Sequence, residues 1–374
     1  MKVTLAEVCG KGQYGLVASA TDLPVGPKFL RTTDMIGGSI SWDSVPYCEV
    51  DERKQDQCLL REGDLVVSRT GANAGAAAYV ADPPEGAVFA GYLVRFRADG
   101  SRADARFLGY VLQSREWADY VTNTRTGSAQ PQLNAVLMGE FAFDLPPLDE
   151  QRRIAEVLGA LDDLIDTNER LKSKLDDLAR TAFLRAWDGV TWVTLGDLGE
   201  ILMGQSPPGD TYSEVPVGMP FHQGVRDFGA RFPRSRIYCS APTRVAEAGD
   251  ILIAVRAPVG EMNVAPERLA IGRGLAALRA ARPSTALQAI RAFEATWSAH
   301  QGTGTVFSSI NGKDLRSAKV PHVDDDRVEG ALSELDHAYA ELEAEVAELR
   351  RTRDELVPLL MSGAVRVRPE GVAA

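Results

Sequence analysis

The chain runs to 374 residues with 45% hydrophobic and 25% charged side chains, a composition that excludes a disordered polymer and leaves room for two or three domains of about 150 residues. It has no apolar run near the roughly 20 residues of a membrane span, no basic-then-apolar leader and only four scattered cysteines, so the expected location is the cytoplasm, without a disulfide framework or a Cys-x-x-Cys metal knuckle. The formal net charge of −11 argues at first sight against a nucleic-acid partner.

The first segment, residues 1–146, mixes short apolar runs such as Leu65-Val66-Val67 with turns rich in Gly, Pro and Asp, and carries one amphipathic helical stretch near 104–121. Its polar turns hold Lys28, Arg31 and Thr32 after Gly26-Pro27, then Arg69, Thr70 and Asn73, then Ser128, Gln130 and Gln132. Arginine can fork onto a guanine edge and Asn or Gln onto adenine, so these residues are candidate DNA contacts. Asp82-Pro83-Pro84-Glu85 has the outline of an adenine-methyltransferase loop, but Glu85 cannot stack on a flipped base, and the segment reads as a Pro-Pro turn.

Residues 147–189 change character to dense Leu, Glu, Asp and Arg, with Gly159 the one glycine before Gly189. Ile154, Leu158, Leu161 and Ile165 lead to Asn168, Leu171, Leu175 and Leu178, a heptad stripe whose register is expected to slip after Asn168. So narrow a stripe suits a helix-on-helix seam.

Residues 190–322 then repeat the first segment. Val3-Thr4-Leu5 returns as Val193-Thr194-Leu195, Phe29 and Asp34 as Phe221 and Asp227, and Gly63-Asp64-Leu65 as Gly249-Asp250-Ile251. Trp117 returns as Trp297, and Gly127 with Leu133-Asn134 as Gly304 with Ile310-Asn311. The order is kept while the offset drifts as loop insertions would make it drift, which is the signature of a tandem repeat. A second helical stretch is expected near 284–299. Candidate contacts here are His222, Gln223 and Arg226, then Arg234, Arg236 and Arg256, then Arg273, Ser308 and Lys313, with Arg231 in the same basic cluster. Gly272-Arg273-Gly274 fits a loose dinucleotide fingerprint but lacks the βαβ unit and the acidic residue that would follow.

A second helix is expected over 323–362, before a tail at 363–374. Leu332, Leu335, Tyr339 and Leu342, followed by Val346, Leu349 and Leu356, keep a seven-residue repeat with one polar lapse at Arg353. About 38 residues make a rod of roughly 57 Å. Two such rods, each following a globular segment, are expected to pair as an antiparallel coiled coil in a pseudo-two-fold molecule.

Sorted by segment, the net charge is −4 over 1–146, −3 over 147–189, +3 over 190–322 and −7 over 323–374. Nearly all the excess acid therefore belongs to the two helices, and the second globular segment is basic. A search for catalysis is negative: His222, His300, His322 and His337 form no metal-spaced pair, and neither a nucleophile elbow nor a phosphate-binding loop is present.

The junction Asp144-Leu145-Pro146-Pro147-Leu148-Asp149-Glu150-Gln151-Arg152-Arg153-Ile154-Ala155 resembles that of the specificity subunits of type I restriction-modification systems. Gly127–Leu133 and Val193–Asp197 are also similar to that family, and the likeness covers essentially the whole chain. It implies an α+β protein with two similar target-recognition domains joined by two long helices, and no active site of its own. Each domain would read one half of a bipartite double-stranded DNA site, while the helices set the spacer and dock two modification subunits. Those partners would be adenine methyltransferases using S-adenosylmethionine, with or without two restriction subunits using ATP and magnesium. The second junction, Val320–Asp326, departs from the pattern in lacking Glu-Gln-Arg, and the second recognition loop lacks glutamines. The competing readings are a coiled-coil adaptor that binds only proteins, and a specificity subunit of a nuclease-free methylation or defence complex.

Overall fold

In the computed structural model the described residues are 1–36, 38–124, 133–292 and 309–367. They form two compact units, one made of Met1–Thr167 with Val346–Ala374 and the other of Asn168–Glu345.

The first unit is built on a four-stranded antiparallel sheet of β1 (Gln13–Tyr14), β2 (Asp64–Ser68), β3 (Ala77–Tyr79) and β4 (Leu93–Arg97), in the order β1-β4-β2-β3. The second unit repeats it with β5 (Gly199–Met203), β6 (Ile251–Ala254), β7 (Met262–Val264) and β8 (Leu275–Ala280), in the order β5-β8-β6-β7. Alternate residues of a strand face opposite sides of a sheet, and here both sides are covered. Leu65 and Val67 join a core with Phe107, Leu108 and Leu158, while Val66 joins another with Phe29, Leu30 and Phe89. Ile251 and Ile253 pack with Phe183 and Leu332, and Leu252 with Leu269 and Ile271. Two-sided burial is why the strands read as unbroken apolar runs rather than as alternating ones.

The sequence landmarks of the repeat turn out to be scaffold devices. Gly63 and Gly249 take positive φ of 84° and 85°, a conformation that favours glycine, and turn the chain into β2 and β6. The buried aspartate that follows each one is held twice. Asp64 accepts from Arg61 N at 2.9 Å and Arg97 Nε at 2.6 Å; Asp250 accepts from Glu247 N at 2.8 Å and Arg279 Nε at 3.1 Å. Asn134 and Asn311 each cap a short helix, Ala135–Gly139 and Gly312–Ser317. The expected helix near 104–121 is two helices, Ala105–Val111 and Arg115–Thr124. The one near 284–299 runs over Pro283–Ala292, and the rest of that expectation, with Trp297, lies outside the described residues.

The two long helices that the sequence predicts are α1 (Leu148–Ala186) and α2 (Asp326–Met361). Gly189 and Gly363, at φ of 82° and 70°, follow their ends. Within each unit the helices run antiparallel. In the first, Arg153 Nε donates to Val367 O at 3.1 Å and Arg353 Nη1 to Asp162 Oδ1 at 3.1 Å. In the second, Lys172 Nζ bonds Glu343 and Leu332 shares a core with Phe183. Arg353, the lapse in the stripe, is thus an ion pair within the seam.

The expected slip after Asn168 does not occur. Buried positions continue as Asn168, Lys172 and Ala179, with Leu175 half-buried between them, so the 4-3 spacing persists to Ala179, and the next buried residue, Phe183, follows four further on. Leu178 is turned away and 54% exposed, as Leu171 is at 43%. The leucines suggested a slip because two seam positions carry polar residues, each removed from water, while the leucines beside them face out. Ile154, Leu158, Ile165, Tyr339 and Val346 are each buried, and Leu161, Leu335, Leu342, Leu349 and Leu356 are half-buried.

The junction motif has a physical role. Gln151 is fully buried; its Oε1 accepts from Asp104 N at 2.9 Å and its Nε2 donates to Pro146 O at 2.8 Å and Arg102 O at 3.3 Å. It ties the start of α1 to the start of the 105–111 helix. The second junction lacks this glutamine and reaches the same end differently. Glu329 accepts from Ser284 N at 3.2 Å and Thr285 N at 2.8 Å, a carboxylate at a helix N-terminus, while Arg282 bridges Asp324 and Asp326.

Candidate nucleic-acid interface

In the first unit three turns converge at one end of the sheet. Arg69 N donates to Tyr92 O at 2.9 Å, and Leu133 N donates to Arg69 O at 2.9 Å. The Arg69 guanidinium lies 4.9 Å from the centre of the exposed Tyr14 ring. Thr32 Oγ1 shares a 3.1 Å hydrogen bond with Ser68 Oγ, and Arg31 forks onto buried Asp34 through Nε at 3.1 Å and Nη2 at 2.8 Å. Arg31, Thr32, Arg69 and Thr70 are therefore brought together with Tyr14 and Tyr92, two exposed aromatics the sequence reading passed over. Asn73 is exposed further along the Gly71–Gly75 turn. Lys28 is more constrained, its Nζ donating to Val45 O at 2.6 Å over the Tyr47 ring. Ser128, Gln130 and Gln132 lie outside the described residues, as does Ser308.

The second unit makes the same clasp. Val255 N donates to Gly274 O at 2.9 Å, and Ile310 N donates to Val255 O at 3.0 Å. Arg256, Arg273 and Gln223 sit exposed on these adjoining turns. The approach is close: a Cβ at Gly274 would stand 2.2 Å from Gln223 O, so a glycine is required there. Lys313 is exposed at the start of the helix capped by Asn311. Arg226, Arg234 and Arg236 are exposed on the preceding loop, Arg236 bonded to buried Asp227 through Nε at 2.7 Å.

Two residues of the predicted basic face are corrected. His222 is fully buried, on a strand segment paired in parallel with Leu269–Ile271, so it faces the interior and presents nothing to DNA. Burial holds its imidazole below the ordinary histidine range, outweighing the nearby Asp227 carboxylate. Arg231 is 5% exposed and turns inward to Asp176 on α1 and Asp336 on α2. Nothing in composition or spacing separates Arg231 from its exposed neighbours; the acidic partners lie 55 and 105 residues away. Among the described residues no group of three His, Cys, Asp or Glu could hold a metal, and no helix is long and apolar enough to cross a membrane.

What the geometry offers is a half-buried set of Arg31, Thr32, Arg69 and Thr70 with exposed Asn73 in the first unit, and an exposed set of Arg and Gln in the second, chemistry suited to hydrogen-bonding base edges and phosphates. The family model for the type I restriction modification DNA specificity domain matches residues 6–177. A Methanocaldococcus jannaschii protein assigned as the MjaX type I restriction enzyme specificity subunit is 27% identical over 388 aligned positions, 95% of this chain and 91% of that one. The StySPI specificity subunit of Salmonella potsdam is 24% identical over 149 positions, 38% of this chain and 32% of its own length. In fold, the chain is similar to the crystal structure of a type I restriction-modification S subunit from M. genitalium, with a TM-score of 0.65 and 15% identity over 96% of this chain and 95% of that one.

Proposed function

The chain belongs to the specificity subunits of type I restriction-modification systems, and from that premise we propose how its two units divide the work. A specificity subunit recognises DNA sequence, and catalysis lies with its partners. The recognition segments are residues 1–146 and 190–322, each reading one half of a bipartite site; residues 147–189 and 323–362 are the spacer helices, and 363–374 a tail. Contacts come from Arg31, Thr32, Arg69, Thr70 and Asn73 in the first half. In the second they come from Gln223, Arg226, Arg234 and Arg236 with Arg256, Arg273 and Lys313. The observation that carries this is the repeated backbone clasp, which presents polar turns at the same end of the same sheet in both halves.

The acidic helices suit a different task, docking two methyltransferase subunits that use S-adenosylmethionine, and in a restriction complex two further subunits using ATP and magnesium, all in the cytoplasm. Since −10 of the −11 net charge lies in the helical segments and the tail, the isolated chain should hold DNA weakly and gain affinity when its partners add basic surface. The test is co-expression with the neighbouring methyltransferase gene and genome-wide mapping of methyladenine. The expected result is one bipartite methylated motif; an unmethylated genome would sink the reading, and methylation without restriction would identify a nuclease-free complex.

A further inference from the structure

The second unit contains a half-buried ion cluster around one buried arginine, Arg231. Arg231 sits in the loop between the Val225–Asp227 turn and the strand Tyr238–Cys239, the loop that also carries Arg226, Arg234 and Arg236. Its guanidinium, 5% exposed, donates Nη1 to Asp336 Oδ1 of α2 at 2.6 Å and Nη2 to Asp176 of α1, and lies 3.9 Å from the ring centre of Tyr339 on α2. Arg291 completes the cluster, with two 2.9 Å bonds to Asp176. The loop backbone is pinned as well: Val264 N donates to Arg231 O at 2.8 Å, and Gly229 and Asn263 exchange two bonds of 3.0 Å.

The fold itself does not require this chemistry. By strand register, Asn263 stands opposite Leu252 as Ala78 stands opposite Val66. The first unit is anchored to its helices instead by Tyr110 and Arg106, bonded to Asp162 and Asp163. The same sheet position thus carries alanine where the second unit uses Asn, and the first unit is anchored through other side chains, so the Arg231 cluster is particular to the second unit.

We propose that Arg231 is a positioning residue for DNA reading: it fastens the recognition loop of the second unit to both long helices, so that the helix pair fixes where Arg226, Arg234 and Arg236 stand. This rests on the reading that the second unit recognises one half of a bipartite site. A guanidinium shared by two carboxylates on different helices holds its place only while both helices keep theirs, so the loop takes its position from the helix pair.

The test uses the complex of this chain with its modification subunits, comparing the wild type, Arg231→Met, and Arg231→Met with Asp336→Leu, which removes the half-buried carboxylate that the single change leaves without its arginine. Readouts are melting temperature and the methylated motif. Arg231→Met should lower the melting temperature and raise methylation about tenfold at sites with one changed base in one half-site, the same half relaxed by Arg256→Ala, with the other half unaltered. The double variant should regain melting temperature but stay relaxed. If motif fidelity is unaltered in Arg231→Met, or returns together with stability in the double variant, Arg231 only holds the fold together and the proposal fails. A wild-type complex that methylates no motif would instead overturn the DNA reading beneath it.

Discussion

Asp176 shows how strongly one carboxylate can be committed. Burial by itself would raise its pKa, but the hydrogen bonds and charges of Arg291 and Arg231 outweigh that and hold it below the ordinary carboxylate range. Asp336 goes the other way, pushed up by burial despite the Ser284 hydroxyl and the Arg231 guanidinium beside it. A carboxyl with a lowered folded pKa contributes stability above its unfolded value and loses it as pH falls through the folded one. Asp176→Asn should therefore cost about 2–3 kcal/mol at neutral pH, because half-buried Arg291 loses its carboxylate and buried Arg231 is left with Asp336 alone of its two. The deficit in melting temperature should hold between about pH 5 and 8 and close only below the ordinary carboxylate range. A deficit that stayed constant into strong acid would mean that Asp176 acts through shape and not charge. Cys9 gives a simpler case. Burial pushes its thiol up to about 12, so alkylation at pH 8 should be far slower in the native chain than in the unfolded one; rapid native labelling, read by mass spectrometry, would refute this.

The long helices put the seam register to the test. Phe183 is fully buried in the core of the second unit, whereas Leu178 is 54% exposed five residues earlier. Phe183→Ala should cost about 3–5 kcal/mol and Leu178→Lys less than about 0.5 kcal/mol in thermal or denaturant melts. The reverse ranking would restore the slipped register. Helix existence and antiparallel pairing were legible in the sequence because a heptad pattern over some 38 residues is hard to mistake. Which leucines face inward was not, since Asn168 and Lys172 at seam positions break the apolar count that register is read from. The tandem repeat was legible for the opposite reason: its Gly-Asp and Asn landmarks are local turn and cap chemistry, which sequence states directly. The inward turn of Arg231 and His222 depends on partners far along the chain, and no local pattern encodes it.

At the scale of the whole molecule, the proposed division of labour makes helix length a ruler. Removing one heptad from each long helix shortens each by about 10 Å, or about three base pairs at 3.4 Å. The methylated motif should then keep both half-sites and lose spacer. An unchanged spacer in the methyladenine map, with the complex intact, would show that distance is set elsewhere.

The division of the chain also orders its own assembly. The second unit is one continuous stretch, Asn168–Glu345, but the first needs Val346–Ala374 as well as Met1–Thr167. Leu356, Val357 and Leu360 pack into the core that holds Ile154 and Leu158. A ribosome delivers the chain from its N-terminus and domains generally fold as they emerge, so the part made first must wait for the part made last. The later unit can close while the earlier one still lacks its final helix. Synthesis stopped after Glu345 would leave Ile154 and Leu158 without that cover, making a late frameshift or nonsense change as damaging to the first recognition segment as one within it.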